Sequence, residues 1–116
     1  DGHVYHIAFV GVNPCGYVSV QHEGSDEYGV AVYHLQKIYV LPTSQGKGIG
    51  QRLFDKAVSY AKECSAGRPA RIELNVNRNN PSLGFYEHNG MHILRQGDFH
   101  IGNGFYMNDY IMGLDI

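Results

Sequence analysis

Between Val30 and Val76 the spacing of apolar residues changes twice, and that double change limits the fold more than any other feature. Val30–Leu41 (VAVYHLQKIYVL) is rich in strand formers and stops at Pro42, which cannot donate to a ladder. From Ile49 the apolar residues fall at Ile49, Leu53, Phe54, Ala57, Val58 and Ala61, the 3.6-residue period of an amphipathic helix. That helix ends near Gly67, and Pro69 prevents its return. Arg71–Val76 (RIELNV) alternates again. Strand, helix and strand in that order form a β-α-β unit with parallel strands.

The flanks read as strands joined by short connections. His3–Val10 is followed by a turn expected at Asn13-Pro14, then by a half-buried strand over Gly16–His22. Glu23–Tyr28 is polar and acidic and reads as a hairpin loop, so the chain begins as an antiparallel meander. After the crossover, Asn80 is expected as the N-cap and Pro81 as the first residue of a short helix that carries Leu83, Phe85 and Tyr86 and stops at Gly90. Strands over Met91–His100 and Phe105–Leu114 follow, joined by Gly102-Asn103-Gly104. The fold class is α+β: a mixed sheet, antiparallel at its start, with one central parallel crossover.

Composition excludes several classes. A chain of 116 residues with 43% hydrophobic and 17% charged residues suits one globular domain. No apolar run approaches the roughly 18 residues needed to span a bilayer, so no membrane partner is expected. Two cysteines, Cys15 and Cys64, without a Cys-x-x-Cys pair fit reduced thiols in a cytoplasmic protein. A net charge of −2 argues against nucleic acid, whose phosphates call for surplus Lys and Arg. The charge is nevertheless unevenly placed: all nine bases lie within 37–95 beside four acids, while the flanks hold seven acids and no base. The seven histidines do not build a metal site, because His3 and His6 on one strand point to opposite faces and neither His88 nor His92 completes a tetrahedron. No metal is expected.

The junction between the long strand and the helix carries the chemistry. It reads Tyr39-Val40-Leu41-Pro42-Thr43-Ser44-Gln45-Gly46-Lys47-Gly48-Ile49-Gly50. Glycines at alternate positions leave successive amides free at a helix N-terminus, where the dipole favours an anion, and Lys47 adds a positive charge. A Walker A loop is excluded because Gly48, not Ser or Thr, follows Gly46-Lys47. A dinucleotide fingerprint is excluded because Gln51 stands where its third glycine would be.

The spacing Gln-x-x-Gly-x-Gly over Gln45–Gly50, after a Val-x-Pro strand end, resembles the GCN5-related N-acetyltransferase (GNAT) family. A second motif, Asn79 to Met91 (NNPSLGFYEHNGM), is similar to that family's Asn-x-x-Ala/Ser-x-x-Phe-Tyr-x-x-x-Gly-Phe, with Met91 in the aromatic position. The likeness runs from His3 to Leu114. It implies acetyl-coenzyme A as co-substrate, its pyrophosphate on the amides of Gln45, Gly46, Lys47, Gly48, Ile49 and Gly50. The main chain of Ile38, Tyr39 and Val40 would pair with the pantetheine arm in a slot opened by the splaying of that strand from Arg71–Val76. Asn79 would meet the same arm. Tyr86 falls on the family's general-acid position, and an N–H near Val40 would polarise the acetyl carbonyl. Where several members carry a Glu base, eleven residues before the motif's Gln, this chain has His34, whose imidazole suits proton transfer near neutral pH.

The function these features imply is transfer of acetyl to a primary amine, in a ternary complex. The acceptor is a small amine, a polyamine or a peptide N-terminus. A short likeness of Phe99-His100-Ile101-Gly102 and Asp109-Tyr110-Ile111-Met112 to the ends of bacterial polyamine acetyltransferases favours the small amines. The alternative is a non-catalytic acyl-coenzyme A-binding or regulatory module. It is motivated by the lack of any match to the family's first strand and two helices, which wall the acceptor site. Residues 1–116 are therefore expected to form a single domain, N-terminally truncated relative to the family, or one whose acceptor site is completed by a second subunit in a homodimer.

Overall fold

The computed structural model describes residues 3–102 and 105–116, with side chains for 3–96 and 109–116. The period changes materialise as expected. Strands β1 (His3–Val10), β2 (Asn13–Ser25) and β3 (Ala31–Val40) form an antiparallel meander, followed by helix α1 (Ile49–Ser65) and strand β4 (Ala70–Asn77). Helix α2 (Leu83–His88) and strands β5 (His92–Gly102) and β6 (Phe105–Asp115) complete the order. All six strands share one mixed sheet in the order β1-β2-β3-β4-β6-β5, with β3 and β4 its parallel pair. The expected α+β architecture is the observed one.

The apolar stripe of α1 lies on one face of the sheet. Leu53, Phe54, Ala57 and Ala61 are buried against Val18, Val20, Leu35, Ile72, Leu74 and Met112. Ala57 and Ala61 are fully buried, and their small size brings the helix close to the strands. Gly16 is required for a similar reason, since a Cβ there would come within 2.5 Å of the Tyr39 carbonyl oxygen. The helix stops where Ala66 and Gly67 enter the left-handed region, at φ 52° and 83°.

Several expected boundaries move. The first turn is at 11–12, with Gly11 at φ 60°, and Asn13-Pro14 already belongs to β2. Pro14 is tolerated there because it faces Phe9 at a register shift, where a ladder hydrogen bond is dispensable. β2 also runs further, to Ser25, and shortens the expected loop to a turn that Asp26 organises. Its carboxylate accepts from the amides of Tyr28 (2.8 Å) and Val30 (3.0 Å). Helix α2 starts at Leu83 with Ser82, not Asn80, as its N-cap. Asn80 does accept from the Ser82 amide at 2.7 Å, but Leu83 N–H closes on the Asn80 carbonyl, so 80–82 stay a turn before the helix. The expected turn at Gly102-Asn103-Gly104 falls at 103–104, outside the described residues. His3 is exposed while His6, on the opposite face of β1, packs edge-on against the Tyr60 ring at 5.3 Å.

Candidate active site

β3 and β4 are partners only at their beginnings. The pairing runs from Ala31↔Ala70 to His34↔Glu73 and goes no further, although β4 stays paired to β6 as far as Asn77↔Asp109. Beyond His34 the two central strands therefore diverge and present unpaired edges to each other. β3 also changes register here: Ser19 faces Lys37 and Val20 faces Leu35, which leaves Gln36 as an extra residue on β3. Such a bulge bends a strand away from its neighbour.

The main chain that faces this gap can be identified by alternation. Leu41 N–H donates to the Cys15 carbonyl at 2.8 Å, so Leu41 and, two residues earlier, Tyr39 turn their peptide groups toward β2. Ile38 and Val40 then turn theirs toward the gap. Gln45 Nε2 holds the Val40 carbonyl at 3.2 Å, which leaves the Val40 N–H and both polar groups of Ile38 facing the unpaired side. Tyr39 lies elsewhere on both counts. Its ring joins an aromatic row on the opposite face, 5.9 Å from Tyr17, which is in turn 6.1 Å from Tyr5.

A cleft of about 400 Å3 opens at the diverging end, lined by Ile38, Val40, Gln45, Gly50, Pro81, Ser82, Phe85 and Tyr86. Its rim is the glycine turn. Gly46 and Gly48 have φ of 80° and 75°, in the left-handed region, and a Cβ on either would meet nothing within 4 Å. These glycines are thus required by backbone conformation, and the space around them is open. Gly50 is different: it is already helical, and a Cβ there would touch only Val40, at 4.0 Å. An open turn of left-handed glycines leading into the amides of a 17-residue helix, with Lys47 exposed beside it, suits a phosphate-bearing ligand. The gap and cleft beside it suit an extended chain attached to that ligand.

Tyr86 reaches the cleft from α2. Its ring packs 5.4 Å from Phe85 and 6.4 Å from Phe54, and burial pushes its phenol above the usual range. It therefore remains a hydroxyl donor at neutral pH. The start of α1 is tied to the end of α2, since Gln51 Nε2 donates to Asn89 Oδ1 and the Asn89 amide donates to the Phe85 carbonyl at 2.9 Å. This link fixes Tyr86 relative to the glycine turn.

His34 stands at the last β3–β4 pair, on the face away from α1, in register with Gln21 and Glu73. Its Nε2 lies 3.2 Å from Asn75 Oδ1. Glu73 beside it is 6% exposed and is held by Arg71 Nε at 2.8 Å and an Arg95 guanidinium nitrogen at 3.1 Å. His34 and Tyr86 thus approach the gap from opposite faces of the sheet. Asn79 is exposed, donates its amide to Asn77 Oδ1 at 2.9 Å, and lies outside the cleft lining.

Comparison with known proteins agrees with this geometry. The family profile of the acetyltransferase (GNAT) family matches residues 1–91. The chain belongs to the GNAT acetyltransferase family. As a member it is an acetyl-coenzyme A-dependent N-acetyltransferase. No curated protein sequence matches it. Solved GNAT structures share its fold at low identity. Naa50 of Arabidopsis thaliana, in complex with the bisubstrate analogue CoA-Ac-MVNAL, superposes with a TM-score of 0.77 at 19% identity, over 97% of this chain and 72% of that one. PaiA N-acetyltransferase of Thermoplasma acidophilum, solved with coenzyme A, gives 0.75 at 22% identity, over 99% of this chain and 62% of that one. The ribosomal-protein-S18-alanine N-acetyltransferase of Escherichia coli gives 0.77 at 17% identity, over 100% and 70%.

The sequence motifs point to the turn, Tyr86 and His34 as candidates, whereas the place of Asn75 beside His34 and of Pro81, Ser82 and Phe85 in the cleft wall comes from the structure. Asn75 is one polar residue on an alternating strand, and only the sheet register brings it beside His34. Among the described residues, no helix is long and apolar enough to cross a membrane.

Proposed function

We propose that this GNAT acetyltransferase moves an acetyl group from acetyl-coenzyme A directly to a primary amine in a ternary complex, with small amines and polyamines as preferred acceptors. The observation that carries the reading is the unpaired gap beyond His34↔Glu73, with a half-buried phenol on one side and an imidazole on the other. The amides of Gly46–Gly50 hold the pyrophosphate, the Gln45 N–H expected with them being turned back onto the Pro42 carbonyl at 3.4 Å, and Ile38 and Val40 pair with the pantetheine arm through their free peptide groups. The Val40 N–H polarises the thioester carbonyl. His34 takes the amine's proton, and Tyr86 gives its proton to the departing sulfur, so no charge accumulates on either partner.

The polyamine preference rests on charge. Glu23 and Glu27 are exposed at the β2–β3 connection, and Glu23 follows Gln21, the residue facing His34, along β2. Asp26 adds less to that field, because it is 3.3 Å from Arg71, and Asp109 is buried. The side chain of Asp98 lies outside the described residues. Peptide N-termini are the competing acceptors, by analogy with Naa50 and its peptide-bearing analogue.

Thiol release from acetyl-coenzyme A, measured against a panel of diamines, polyamines, neutral amines and short peptides beside a coenzyme A titration, tests the reading. Turnover highest with polyamines supports it. Turnover confined to peptides overturns the acceptor assignment, and tight binding without turnover on any amine points to a non-catalytic module.

A further inference from the structure

At the opposite end of β3 from the glycine turn, the carbonyl end of α1 and the strands beneath it enclose a pocket of about 210 Å3. His22, Tyr33, Tyr60, Cys64 and Arg68 are among its walls, and no carboxylate lines it. Tyr33 is 3% exposed and its ring stacks on His22 at 4.6 Å, yet its hydroxyl has no hydrogen-bond partner among the described residues. The Cys64 thiol and the Arg68 guanidinium both act on that phenol electrostatically, which sets its hydroxyl at the polar side of the pocket. Folded chains rarely leave a buried hydroxyl unpaired without a reason.

The other polar groups converge on the same place. The Tyr60 hydroxyl, one helical turn before Cys64, is bonded to the thiol; that bond, and then burial, push its phenol above the usual range, so it stays a donor to sulfur. Arg68 turns its Nε back onto the Ser65 carbonyl at 3.2 Å, which leaves its two terminal nitrogens for a ligand. The carbonyl end of a helix ordinarily disfavours an anion. Here those carbonyls are occupied: Lys62 accepts from Ser65 Oγ at 3.0 Å and from the Ala66 amide at 3.2 Å, and Ser65 accepts from Arg68. A donor-rich pocket around an accessible thiol suits a reagent that carries oxygen anions.

We propose that this pocket is a modification site, where Cys64 exchanges with a low-molecular-weight disulfide bearing carboxylates, of the glutathione disulfide class. The Tyr33 hydroxyl and Arg68 hold a carboxylate, and Tyr60 steadies the attacking sulfur. Cys64 is exposed, whereas Cys15 is buried in the core, so the exchange selects Cys64. The site is separate from the acetyl-transfer cleft, because Tyr33 faces α1 and His34, the next residue, faces away from it.

The step balances. The Cys64 thiolate attacks one sulfur of the disulfide, a new S–S bond forms, the old one breaks, and the departing thiolate takes up the proton that Cys64 released. Cys64 is oxidised and the departing half is reduced, so no further oxidant is needed.

The test treats the folded chain with glutathione disulfide or with cystamine, whose arms end in ammonium groups, and locates adducts by peptide mass mapping. Each rate at Cys64 is divided by that of the same chain unfolded in urea, which removes the intrinsic difference between the reagents. The folded-to-unfolded ratio for glutathione disulfide is expected to exceed that for cystamine by about tenfold. Tyr33→Phe keeps the ring and loses only the hydroxyl, and Arg68→Gln changes an exposed position, so it keeps the test open should Tyr33→Phe lose its fold. In each folded variant the glutathione ratio should fall by about three- to tenfold, while the cystamine ratio does not fall. Equal ratios for the two reagents, a glutathione ratio that either folded variant leaves unchanged, or adducts mainly on Cys15 would overturn the proposal.

Discussion

Tyr86 shows what one residue's surroundings add to its identity. Its place in the Phe-Tyr motif makes it the candidate proton donor, and the packing on Phe54 and Phe85 adds the partial burial that keeps the phenol protonated beyond the usual range. Burial raises its pKa, so the donor form persists through and beyond the ordinary phenol range near 10. Two outcomes follow. Tyr86→Phe should lower kcat by about 10²–10⁴ with coenzyme A affinity unchanged, because the ring still fills its site and only the proton is lost. In the parent, kcat should show no alkaline fall attributable to Tyr86 below about pH 10, checked under conditions where chemistry limits turnover. A fall centred well below that value, absent in Tyr86→Phe, would assign the phenol an ordinary or lowered pKa. Asn75 illustrates the reverse case. No sequence signal separates it from Asn77 on the same strand, and the register of the sheet alone gives it a partner.

The junction between β3 and α1 was readable as an element, from Pro42 through the glycines to the helical period. What the sequence leaves open is which glycine does what. Gly48 is held at φ 75° with open space around it, so a β-branched residue there strains the backbone whatever it does to a ligand. Gly50 is helical and borders the cleft. Gly50→Ala should therefore raise the thermal stability of the free protein, by up to about 1 kcal/mol, from helix propensity alone. The same change should weaken acetyl-coenzyme A binding, because its methyl group occupies the approach to the helix amides. Calorimetric melting and a coenzyme titration check the two signs independently, and a stabilised variant with parent affinity removes Gly50 from the binding surface. The Asp26 turn gives a second element-scale outcome. Amides of Val30 and Tyr28 and the Arg71 guanidinium hold its carboxyl below the usual range. The stability it contributes is present above the unfolded carboxylate value near 4 and is lost as pH falls through the lowered folded value. Urea midpoints from pH 6 to 2.5 should thus fall less steeply for Asp26→Asn than for the parent at the acid end. The start of α2 departs from the expected position for a local reason: Asn80 makes its cap-like bond within the turn 80–82 that immediately precedes the helix.

At the scale of the whole molecule, the order of strands was legible because each connection is short and the one crossover carries its own helix. The charge pattern was legible as a sum and not as a field. The sequence sets seven acids in the flanks against a basic centre, yet folding commits Asp26 to Arg71, buries Asp109, and brings Arg71 and Arg95 onto the face of His34 around Glu73. Glu23 and Glu27 are the exposed acids left at the β2–β3 connection, and Lys47 stays exposed at the glycine turn. Fields from exposed groups raise the local concentration of opposite charge and are weakened by salt within about 10 Å at 0.1 M. Neutralising Glu23 and Glu27 together should therefore raise KM for a polyamine by a few-fold and leave KM for a neutral amine nearly unchanged. Raising salt from 0.05 to 0.5 M should reduce the parent's advantage for polyamines, and the double variant should respond less. kcat should move little in either comparison, because neither group touches the gap between His34 and Tyr86. Steady-state kinetics on both acceptors at the two ionic strengths decide the matter: equal shifts for charged and neutral amines would make these glutamates a solvated surface with no part in acceptor choice.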